Sequence, residues 1–275
     1  MIELPEAITI AHQVRQTICG KTITNVYGAT YLHKFTFFCG TIEEYKALLI
    51  GRNVKSAVGK GIFIDICFDN NVFLSISDGI NMRYGSTEKE RPYKYQMLIT
   101  FDDHSSISFT TSMYGGIYVF RHSLENKYRI LSMNNISPTS EAFSKNIFEE
   151  LILSETKNIS VKALLATGQR IPGIGNGVLQ DILFNAGLHP KHNIFSLNNE
   201  DKDKLFHSLK NTLSEMTKFG GRDTETDLFG NKGHYKTLLS RTTYKSPCIK
   251  CNGTILKESF LGGTIYYCPN CQKLK

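Results

Sequence analysis

The sequence predicts an α+β multidomain protein: an N-terminal helix and an antiparallel β-sandwich, followed by a helical domain and a short C-terminal β-hairpin. Three observations predict this architecture. Apolar residues alternate with polar ones between about residues 22 and 120, they recur at helical spacing from about 143 to 218, and two Cys-x-x-Cys pairs stand near the C-terminus. We therefore expect a sandwich domain over residues 1–120, a linker over 121–144, a helical domain over 145–243 and a cysteine-rich finger over 244–275.

The first helix is predicted to begin near Pro5, which suits a first helical turn, and to end at Gly20. Its apolar stripe is expected to face the core and comprises Ala7, Ile10, Ala11, Val14 and Ile18. Glu3 and Glu6 stand at the start of this helix, where acidic side chains usually complement the helix dipole. In the segment that follows, alternation around residues 62–68 and 97–101 predicts strands of a two-sheet sandwich.

The composition favours a globular protein with a polyanionic partner. Hydrophobic residues make up 41% of the chain and charged residues 21%, as in soluble domains, while the net charge of +7 attracts a polyanion such as nucleic acid. No apolar run is long enough to cross a bilayer, and the opening Met1-Ile2-Glu3 lacks the basic and apolar start of a signal peptide. We therefore expect a cytoplasmic, nucleoid-associated monomer with no membrane partner.

A glycine-rich turn at residues 173–176, Gly-Ile-Gly-Asn, joins two predicted helices, one over about 160–166 and one that begins near Asn176. Gly173 and Gly175 allow a positive φ and close approach of the backbone, and Asn176 stands where an N-cap is expected. The free N–H groups of a helix start bind anions, and a DNA phosphate is the anion that suits a basic protein. The alternative is an ordinary helical hairpin in which the glycines only permit the bend.

Four of the seven cysteines form two closely spaced pairs at the C-terminus. Sixteen residues separate the pairs, and within them we predict strands at 254–257 and 264–267, joined by a turn at 261–263. Such paired knuckles bring four thiolates to the corners of a tetrahedron, the geometry that Zn²⁺ takes in structural sites. We therefore predict one structural zinc ion, held by Cys248, Cys251, Cys268 and Cys271.

Three segments of the helical domain, residues 161–165, 173–176 and 185–190, resemble the helix-two-turns-helix DNA-binding motif of the formamidopyrimidine-DNA glycosylase and endonuclease VIII family. The resemblance extends over the whole chain. It implies a base-excision repair enzyme that binds damaged DNA, everts the damaged base and cleaves its N-glycosidic bond. It also implies that Asn176 and Lys162 hold the DNA backbone at the damaged nucleotide, with Gly175 beside them.

The resemblance assigns catalytic roles to two acids and one lysine. Glu3 matches the acidic residue that follows the family's N-terminal nucleophile, and Glu6 matches a second acid near the active site. Lys60, in the turn Gly59-Lys60-Gly61, matches the lysine that contacts a phosphate and assists chemistry at the sugar. Without the resemblance, a lysine in such a turn is usually a solvated surface residue.

Several DNA-contacting positions depart from the family pattern. In Ser112-Met113-Tyr114-Gly115, which matches the loop that enters the gap left by the everted nucleotide, Tyr114 would be the stacking wedge and Ser112 replaces an arginine. Ile80 is predicted to be a second wedge. At the tip of the finger hairpin, Gly263 stands where the family carries an arginine that binds phosphate. Two DNA contacts of the family are therefore expected to be missing.

Position 2 is the largest departure. The family's nucleophile is an N-terminal proline that removal of the initiator methionine exposes, whereas this chain has Ile2. The branched side chain of Ile2 is expected to keep Met1 in place, so that the free amine lies one residue, roughly 3–4 Å, beyond its position in the family. We therefore predict weak or absent Schiff-base lyase activity at the N-terminus. We also expect Ile2 to occupy the place in the catalytic site, beside Glu3, that the proline takes in the family.

Two functions remain open. In the first, the protein is a glycosylase in which Glu3 and Lys60 act near the sugar, and water or the displaced amine completes the cleavage. In the second, it is a catalytically inactive descendant that binds damaged or abasic DNA. A zinc-ribbon regulator unrelated to repair would leave Glu3, Lys60 and the glycine turn unexplained. The polar segment 222–235 is either a surface loop or, as in the family, a border of the pocket for the flipped base.

Overall fold

The computed structural model of the protein describes residues 1–274, and its helices and strands follow the predicted α+β order. The helices are α1 (Leu4–Ile18), α2 (Ile42–Leu49), α3 (Lys127–Asn134), α4 (Lys145–Leu153), α5 (Val161–Ala166), α6 (Asn176–Ala186) and α7 (Asn199–Lys218). The strands are β1 (Ile23–Gly28), β2 (Thr36–Phe38), β3 (Val54–Lys60), β4 (Phe63–Phe68), β5 (Val72–Ile76), β6 (Ile80–Gly85), β7 (Met97–Phe101), β8 (Ser106–Thr111), β9 (Gly115–Arg121), β10 (Leu256–Phe260) and β11 (Gly263–Tyr267). The predicted fold class is confirmed.

Two sheets packed around one apolar core form the sandwich. One has the strand order β1-β7-β8-β6 and the other β2-β9-β5-β4-β3, in which β2 is the parallel neighbour of β9. Paired apolar residues of neighbouring strands, such as Ile64 with Ile76, point into this core. Helix α1 lies against β3 so closely that a side chain at Gly59 would overlap the backbone of Ala7.

Helix α1 also belongs to a second core, which α4, α5, α6 and α7 build. Leu4 packs in this helical core, whereas Ala7 and Ile10, one turn later, pack in the sandwich core. The helical core itself draws on the apolar faces of α6 and α7, because Leu179, Ile182, Leu205 and Leu209 have no exposed surface. The first turn of α1 therefore lies at the junction between the sandwich and the helical domain.

The C-terminal hairpin differs in detail from the prediction. Its strands β10 and β11 are joined by Leu261 and Gly262, whose φ angles are both positive, 46° and 71°. Two successive residues of this kind are typical of a type I′ turn, which matches the twist of a two-stranded hairpin. Because the turn needs only two residues, the first strand begins at Leu256 and not at Thr254, and Gly263 lies inside β11 instead of at the tip.

Two helices lie in segments where none was predicted. Helix α2 interrupts the strands of the sandwich, and its capping box joins Thr41 to Glu44: the N–H of Thr41 donates to the Glu44 carboxylate at 2.7 Å. Helix α3 lies in the predicted linker, where the side chain of Asn126 caps its first turn. In the part of the chain that the structure describes, no helix is both long and apolar enough to cross a membrane.

Candidate active site and nucleic-acid interface

The carboxylate of Glu3 caps the start of helix α6. It accepts hydrogen bonds from the backbone N–H groups of Gly177 and Val178, both at 2.8 Å, and of Gly175 at 3.3 Å. These are the groups that a helix start leaves without an intrahelical partner. The predicted N-cap is corrected accordingly: Gly175 is the N-cap, Asn176 is the first helical residue, and Glu3, from a distant part of the sequence, supplies the acceptor. Gly175 also has a negative φ of −112°, so the left-handed turn conformation falls on Gly173 alone, at φ 90°.

Arg222 joins Glu3 and Glu6 into one buried cluster. Its guanidinium donates to both carboxylate oxygens of Glu6, at 3.0 and 2.8 Å, and Nη1 lies 3.6 Å from Oε1 of Glu3. The backbone N–H of Arg222 donates to Glu6 as well, at 3.1 Å, and Nη2 donates to the carbonyl oxygen of Met1 at 3.2 Å. A side chain at Gly177 would overlap the guanidinium, so glycine is required where Arg222 crosses the start of α6.

Sequence reasoning missed Arg222. The only signal was an arginine directly after Gly220-Gly221 at the head of an acidic stretch, and nothing in the sequence identified its partners. The side chains of Arg222 and Glu3 are only 3% and 4% exposed. A buried arginine is stable only when its charge is paired, and here two glutamates provide the pairing.

The pKa values of Glu3 and Glu6 are shifted in opposite directions. Burial raises the pKa of Glu3 above its ordinary value, and the charge of Arg222 opposes this rise without cancelling it. Burial also opposes ionisation of Glu6, but the charge and hydrogen bonds of Arg222 outweigh it and hold the pKa of Glu6 below its ordinary value. For Arg222, the two carboxylates outweigh burial and raise the pKa further. Glu3 therefore keeps its proton to a higher pH than Glu6 does.

The N-terminal residues are fixed in place. The side chain of Ile2 is buried in the sandwich core, and its backbone N–H donates to the carbonyl oxygen of Asp78 at 2.8 Å. The amine of Met1 forms an ion pair with Glu225. The nitrogen of Ile2 is thus an amide whose hydrogen is already bonded to Asp78. The free amine of the chain is that of Met1, and it lies beside Glu225 in the 222–235 segment.

This segment is not a free surface loop. Asp227 receives hydrogen bonds on its carbonyl oxygen from Arg83 at 2.7 Å and on its carboxylate from Gln13 at 2.8 Å. Gln13 in turn accepts from the backbone N–H of Leu228 at 3.0 Å, and the side chain of Leu228 is buried in the sandwich core. The segment therefore ties the helical domain to α1 and β6.

Lys60 is the last residue of β3, directly before the β3–β4 turn and not within it as the sequence suggested, and its ammonium group donates to the carbonyl oxygen of Met133 in α3. The same turn packs against the glycine turn before α6: a side chain at Gly173 would lie 2.8 Å from the carbonyl oxygen of Gly61. Lys60 thus lies close to the start of α6, although its ammonium group is engaged by the linker helix and not by either acid of the cluster.

The finger hairpin is docked on α5 and α6 by two side chains. The buried ammonium group of Lys162 donates to the carbonyl oxygen of Phe260, and burial lowers its pKa. Gln180 donates to Thr264 and accepts from the backbone N–H of Tyr266, both at 3.0 Å. In this conformation Lys162 positions the hairpin, and it would reach a DNA phosphate only if the hairpin moved.

Asn176 lies directly against the hairpin. A side chain at Gly263 would come within 2.5 Å of its amide nitrogen. Its buried Oδ1 has no hydrogen-bond partner within the described chain. A buried acceptor of this kind is costly unless a donor completes it, and a phosphate cannot do so because its oxygens only accept. Only the N–H groups of the Asn176 amide, which lie against Gly263, can donate to a phosphate.

The two predicted wedges lie in different environments. Tyr114 is about half exposed on the β8–β9 loop, and the neighbouring Ser112 accepts a hydrogen bond from Asn81 at 2.5 Å. Ile80 has no exposed surface, because it is the first residue of β6 and its side chain belongs to the sandwich core. This corrects the expectation for Ile80, since it could not enter DNA unless the strand opened.

The four cysteines of the finger converge on one point. Their sulfur atoms all lie within 4.8 Å of one another, with Cys248 and Cys271 at 3.8 Å and Cys251 and Cys268 at 3.5 Å. Sulfur atoms bound about 2.3 Å from a common tetrahedral ion are separated by roughly 3.8 Å. The cluster can therefore hold one metal ion.

The chain combines a β-sandwich, a helix-two-turns-helix region whose second helix is capped by an N-terminal acid, and a four-cysteine hairpin. In these features and over its full length it is similar to members of the formamidopyrimidine-DNA glycosylase and endonuclease VIII family. The family model described as the formamidopyrimidine-DNA glycosylase H2TH domain matches residues 135–227.

Individual relatives align from end to end. The formamidopyrimidine-DNA glycosylase of Cytobacillus firmus is 27% identical over 280 residues, which cover 99% of this chain and 100% of the relative. That of Mycoplasma mobile is 27% identical over 281 residues, all of both chains. Two solved structures have the same fold. MutM (Fpg) from Thermus thermophilus superposes with a TM-score of 0.82 at 22% identity, and the match covers 99% of each chain. Lactococcus lactis Fpg, in complex with DNA that contains an abasic site, superposes with a TM-score of 0.85 at 21% identity, and the match covers 98% of this chain and 99% of that one.

Proposed function

We propose that this protein is a base-excision DNA glycosylase that binds damaged DNA, everts a damaged base and cleaves its N-glycosidic bond without using an N-terminal amine. The single observation that carries the proposal is the position of Glu3, held at the start of α6 by three backbone N–H groups and by Arg222. Relatives that align over the full length are named formamidopyrimidine-DNA glycosylase, which supports the reaction class.

The proposed chemistry uses Glu3 as the acid–base group. Its raised pKa suits a carboxyl group that takes a proton from the attacking water and then gives this proton to the departing base. The oxygen of that water forms a bond to C1′ of the sugar, the C1′–N bond breaks, and the departing base takes up a proton. Glu6 acts through Arg222, which fixes the carboxylate of Glu3, and Lys60 would approach the phosphate beside the sugar by leaving Met133.

The proposed DNA contacts lie around the start of α6. Asn176 would donate to a phosphate, and Tyr114 would stack on the bases beside the gap. Gly175 contributes indirectly, because a side chain there would overlap the carboxylate of Glu3. We assign Lys162 a supporting role in this interface, because its ammonium group holds the hairpin that covers Asn176. The partner is damaged DNA, bound by the protein as a monomer.

We also propose that the metal ion of the finger is zinc. Four thiolates in two Cys-x-x-Cys pairs leave no open coordination position for a substrate, so the ion would be structural. Its role would be to hold the hairpin rigid against Lys162, Gln180 and Asn176.

A second candidate function is a catalytically inactive protein that recognises damaged or abasic DNA. The observation in its favour is that Glu3 is buried and accepts three backbone hydrogen bonds, so its carboxylate already serves as a helix cap. In this alternative the cluster of Glu3, Glu6 and Arg222 would only join the two domains.

Base release from a panel of duplexes with oxidised bases distinguishes the two functions, provided that base release and strand nicking are measured separately. The proposal expects base release by the wild-type protein and a loss of at least about 100-fold in Glu3→Gln, the usual scale for a general acid–base group. Glu43→Gln, on the exposed face of α2, is the matched control and should act like the wild type. DNA binding without base release on any lesion would contradict the proposal and favour the inactive protein.

A further inference from the structure

A cavity of about 450 Å³ opens between the sandwich, the linker helix α3 and the turn at residues 168–169. We call it the tyrosine pocket, and its walls include Phe37, Phe63, Asp78, Tyr114, Tyr118 and Tyr128. Among the described residues that line it, none belongs to the 222–235 segment or to the Glu3–Glu6–Arg222 cluster. Apart from Tyr114, its lining residues have no part in the proposed catalysis or DNA contacts.

We propose that the tyrosine pocket binds one unpaired nucleobase of damaged DNA, stacked between Tyr114 and Tyr128 and hydrogen-bonded at its edge by Asp78. This inference rests on the proposed function, because it needs DNA in the cleft between the two domains. It goes beyond that function by assigning a base-binding site that is separate from the catalytic acids.

Two hydrogen bonds join neighbouring parts of the pocket wall. The hydroxyl of Ser77 accepts from the backbone N–H of Gly116 at 2.8 Å, and the backbone N–H of Ser77 donates to the Gly116 carbonyl at 3.1 Å. A side chain at Gly79 would overlap the carbonyl oxygen of Tyr114, so the turn that carries Asp78 packs directly on the loop that carries Tyr114. The two backbone segments that carry Asp78 and Tyr114 are thereby packed together before any ligand enters.

Size and chemistry both suit a nucleobase. Pockets for small ligands usually measure roughly 300–1,000 Å³ and combine apolar walls with a few polar groups. Exposed aromatic rings stack on bases of any sequence, and Tyr128 contributes one such ring from α3. Asp78 accepts hydrogen bonds from the N–H groups of a base edge, and its negative charge repels phosphate, so the pocket selects the base over the backbone.

Two further features favour a ligand with both donors and acceptors. Burial raises the pKa of Asp78 to about 6, so its carboxyl group accepts hydrogen bonds when ionised and donates one when protonated. Gln169, which also lines the pocket, has a backbone φ of 53°, and its side-chain oxygen accepts from the N–H of Gly173 at 3.0 Å. Its amide nitrogen leaves two N–H donors for the edge of a base.

Photocrosslinking tests the proposal and identifies which base enters. In one duplex 5-iodouracil stands opposite a tetrahydrofuran abasic analogue, and in the other it is mispaired with cytosine. Binding is first measured by fluorescence anisotropy, and the complexes are then irradiated and the crosslinked residue is mapped by mass spectrometry. We expect crosslinks to Tyr114, Tyr118 or Tyr128 in at least one duplex. A crosslink in the first identifies the base left opposite the gap, and one in the second identifies the mispaired base.

Affinity for the abasic duplex provides the second readout. Tyr128→Ala should weaken binding about 5- to 150-fold, the loss expected when one stacked base loses its ring. Tyr128→Phe keeps the ring and should bind like the wild type. The matched control is Tyr93→Ala, whose side chain is 97% exposed outside the pocket, and it should remain within twofold.

Two results would overturn the inference while leaving the proposed function intact. One is that the crosslinks fall outside the pocket in both duplexes, and the other is that Tyr128→Ala binds within twofold of the wild type. Failure of the wild-type protein to bind either duplex would overturn both, and the anisotropy measurement reveals this before irradiation.

Discussion

Arg222 and Glu6 form a two-pronged ion pair, with nitrogen–oxygen distances of 3.0 and 2.8 Å, although 215 residues of chain separate them. Glu6 lies in the first turn of α1 and Arg222 begins the segment after α7. The pair therefore joins the N-terminal helix to the helical domain, and it places a positive charge 3.6 Å from Glu3. Removing either partner leaves a buried charge without its counterion.

Arg222→Met should lower the free energy of unfolding by about 3–5 kcal/mol, as is usual when one member of a buried ion pair is removed. Arg222→Lys should recover only part of this loss, because an ammonium group cannot make the two parallel hydrogen bonds to Glu6. Urea denaturation measures both. Lys236→Ala, which removes an 85% exposed lysine nearby, is the control and should change stability by less than about 0.5 kcal/mol. A loss below about 1 kcal/mol in Arg222→Met would show that the cluster is not a main support of the domain junction.

The stabilising effect of Glu6 should depend on pH. Because the pKa of Glu6 is lower in the folded protein than in the unfolded chain, its contribution is fully present above the ordinary value of 4.5 and is lost as the pH falls through the folded value. The stability difference between the wild type and Glu6→Gln should therefore be largest at pH 6–7 and shrink towards pH 3. A difference that stays constant or grows on acidification would contradict the assigned direction.

Asn176→Ala should weaken binding to an abasic duplex by roughly 1–2 kcal/mol, about 5- to 30-fold, if its amide donates to a phosphate. The slope of affinity against salt should not change, because the amide carries no charge and releases no counterion. Asn211→Ala, at an exposed position of α7, is the matched control. If Asn176→Ala and the wild type have equal dissociation constants at matched salt, Asn176 does not contact the DNA.

Purified protein should contain close to one zinc ion per chain, and Cys251→Ser should lose it. Since the hairpin packs on Lys162 and Asn176, loss of zinc should also lower the affinity for DNA, while the sandwich, which has its own core, should stay folded. Elemental analysis, circular dichroism and anisotropy measure the three effects. Cys39→Ser changes an exposed cysteine outside the cluster and should keep its zinc. Absence of zinc from wild-type protein purified without chelators would count against the proposal.

The sequence predicted those parts of the fold that arise from local patterns. Alternation located the strands of the sandwich, helical spacing located the helical domain that ends with α7, and the cysteine pairs located the finger. Helix α2 was missed because it lies inside an alternating segment, although its capping box of Thr41 and Glu44 was a readable signal. The turn was predicted one residue too long, because leucine rarely adopts the positive φ that Leu261 has here.

The site was less predictable because it depends on contacts between distant segments. Resemblance identified Glu3, but only the folded chain reveals that its carboxylate caps α6 in place of Asn176. Arg222 has no pattern that identifies it, because its partners lie more than 200 residues away. Lys162, predicted at the DNA surface, is buried beneath the hairpin, since a docked hairpin cannot be inferred from helical spacing.

The claim that cleavage proceeds without an N-terminal amine is tested most directly by borohydride trapping on DNA with an abasic site, with the intact mass of the protein measured in parallel. Ile2 is buried and its nitrogen is an amide that donates to Asp78, while the amine of Met1 is paired with Glu225, so the N-terminal amine is engaged by Glu225 and does not attack C1′ in this account. We predict no covalent adduct at the N-terminus, with base release intact. Ile2→Pro serves as the comparison, because proline at position 2 restores the family's nucleophile wherever Met1 is removed. A robust adduct mapped to the N-terminus of the unmodified protein would contradict the account.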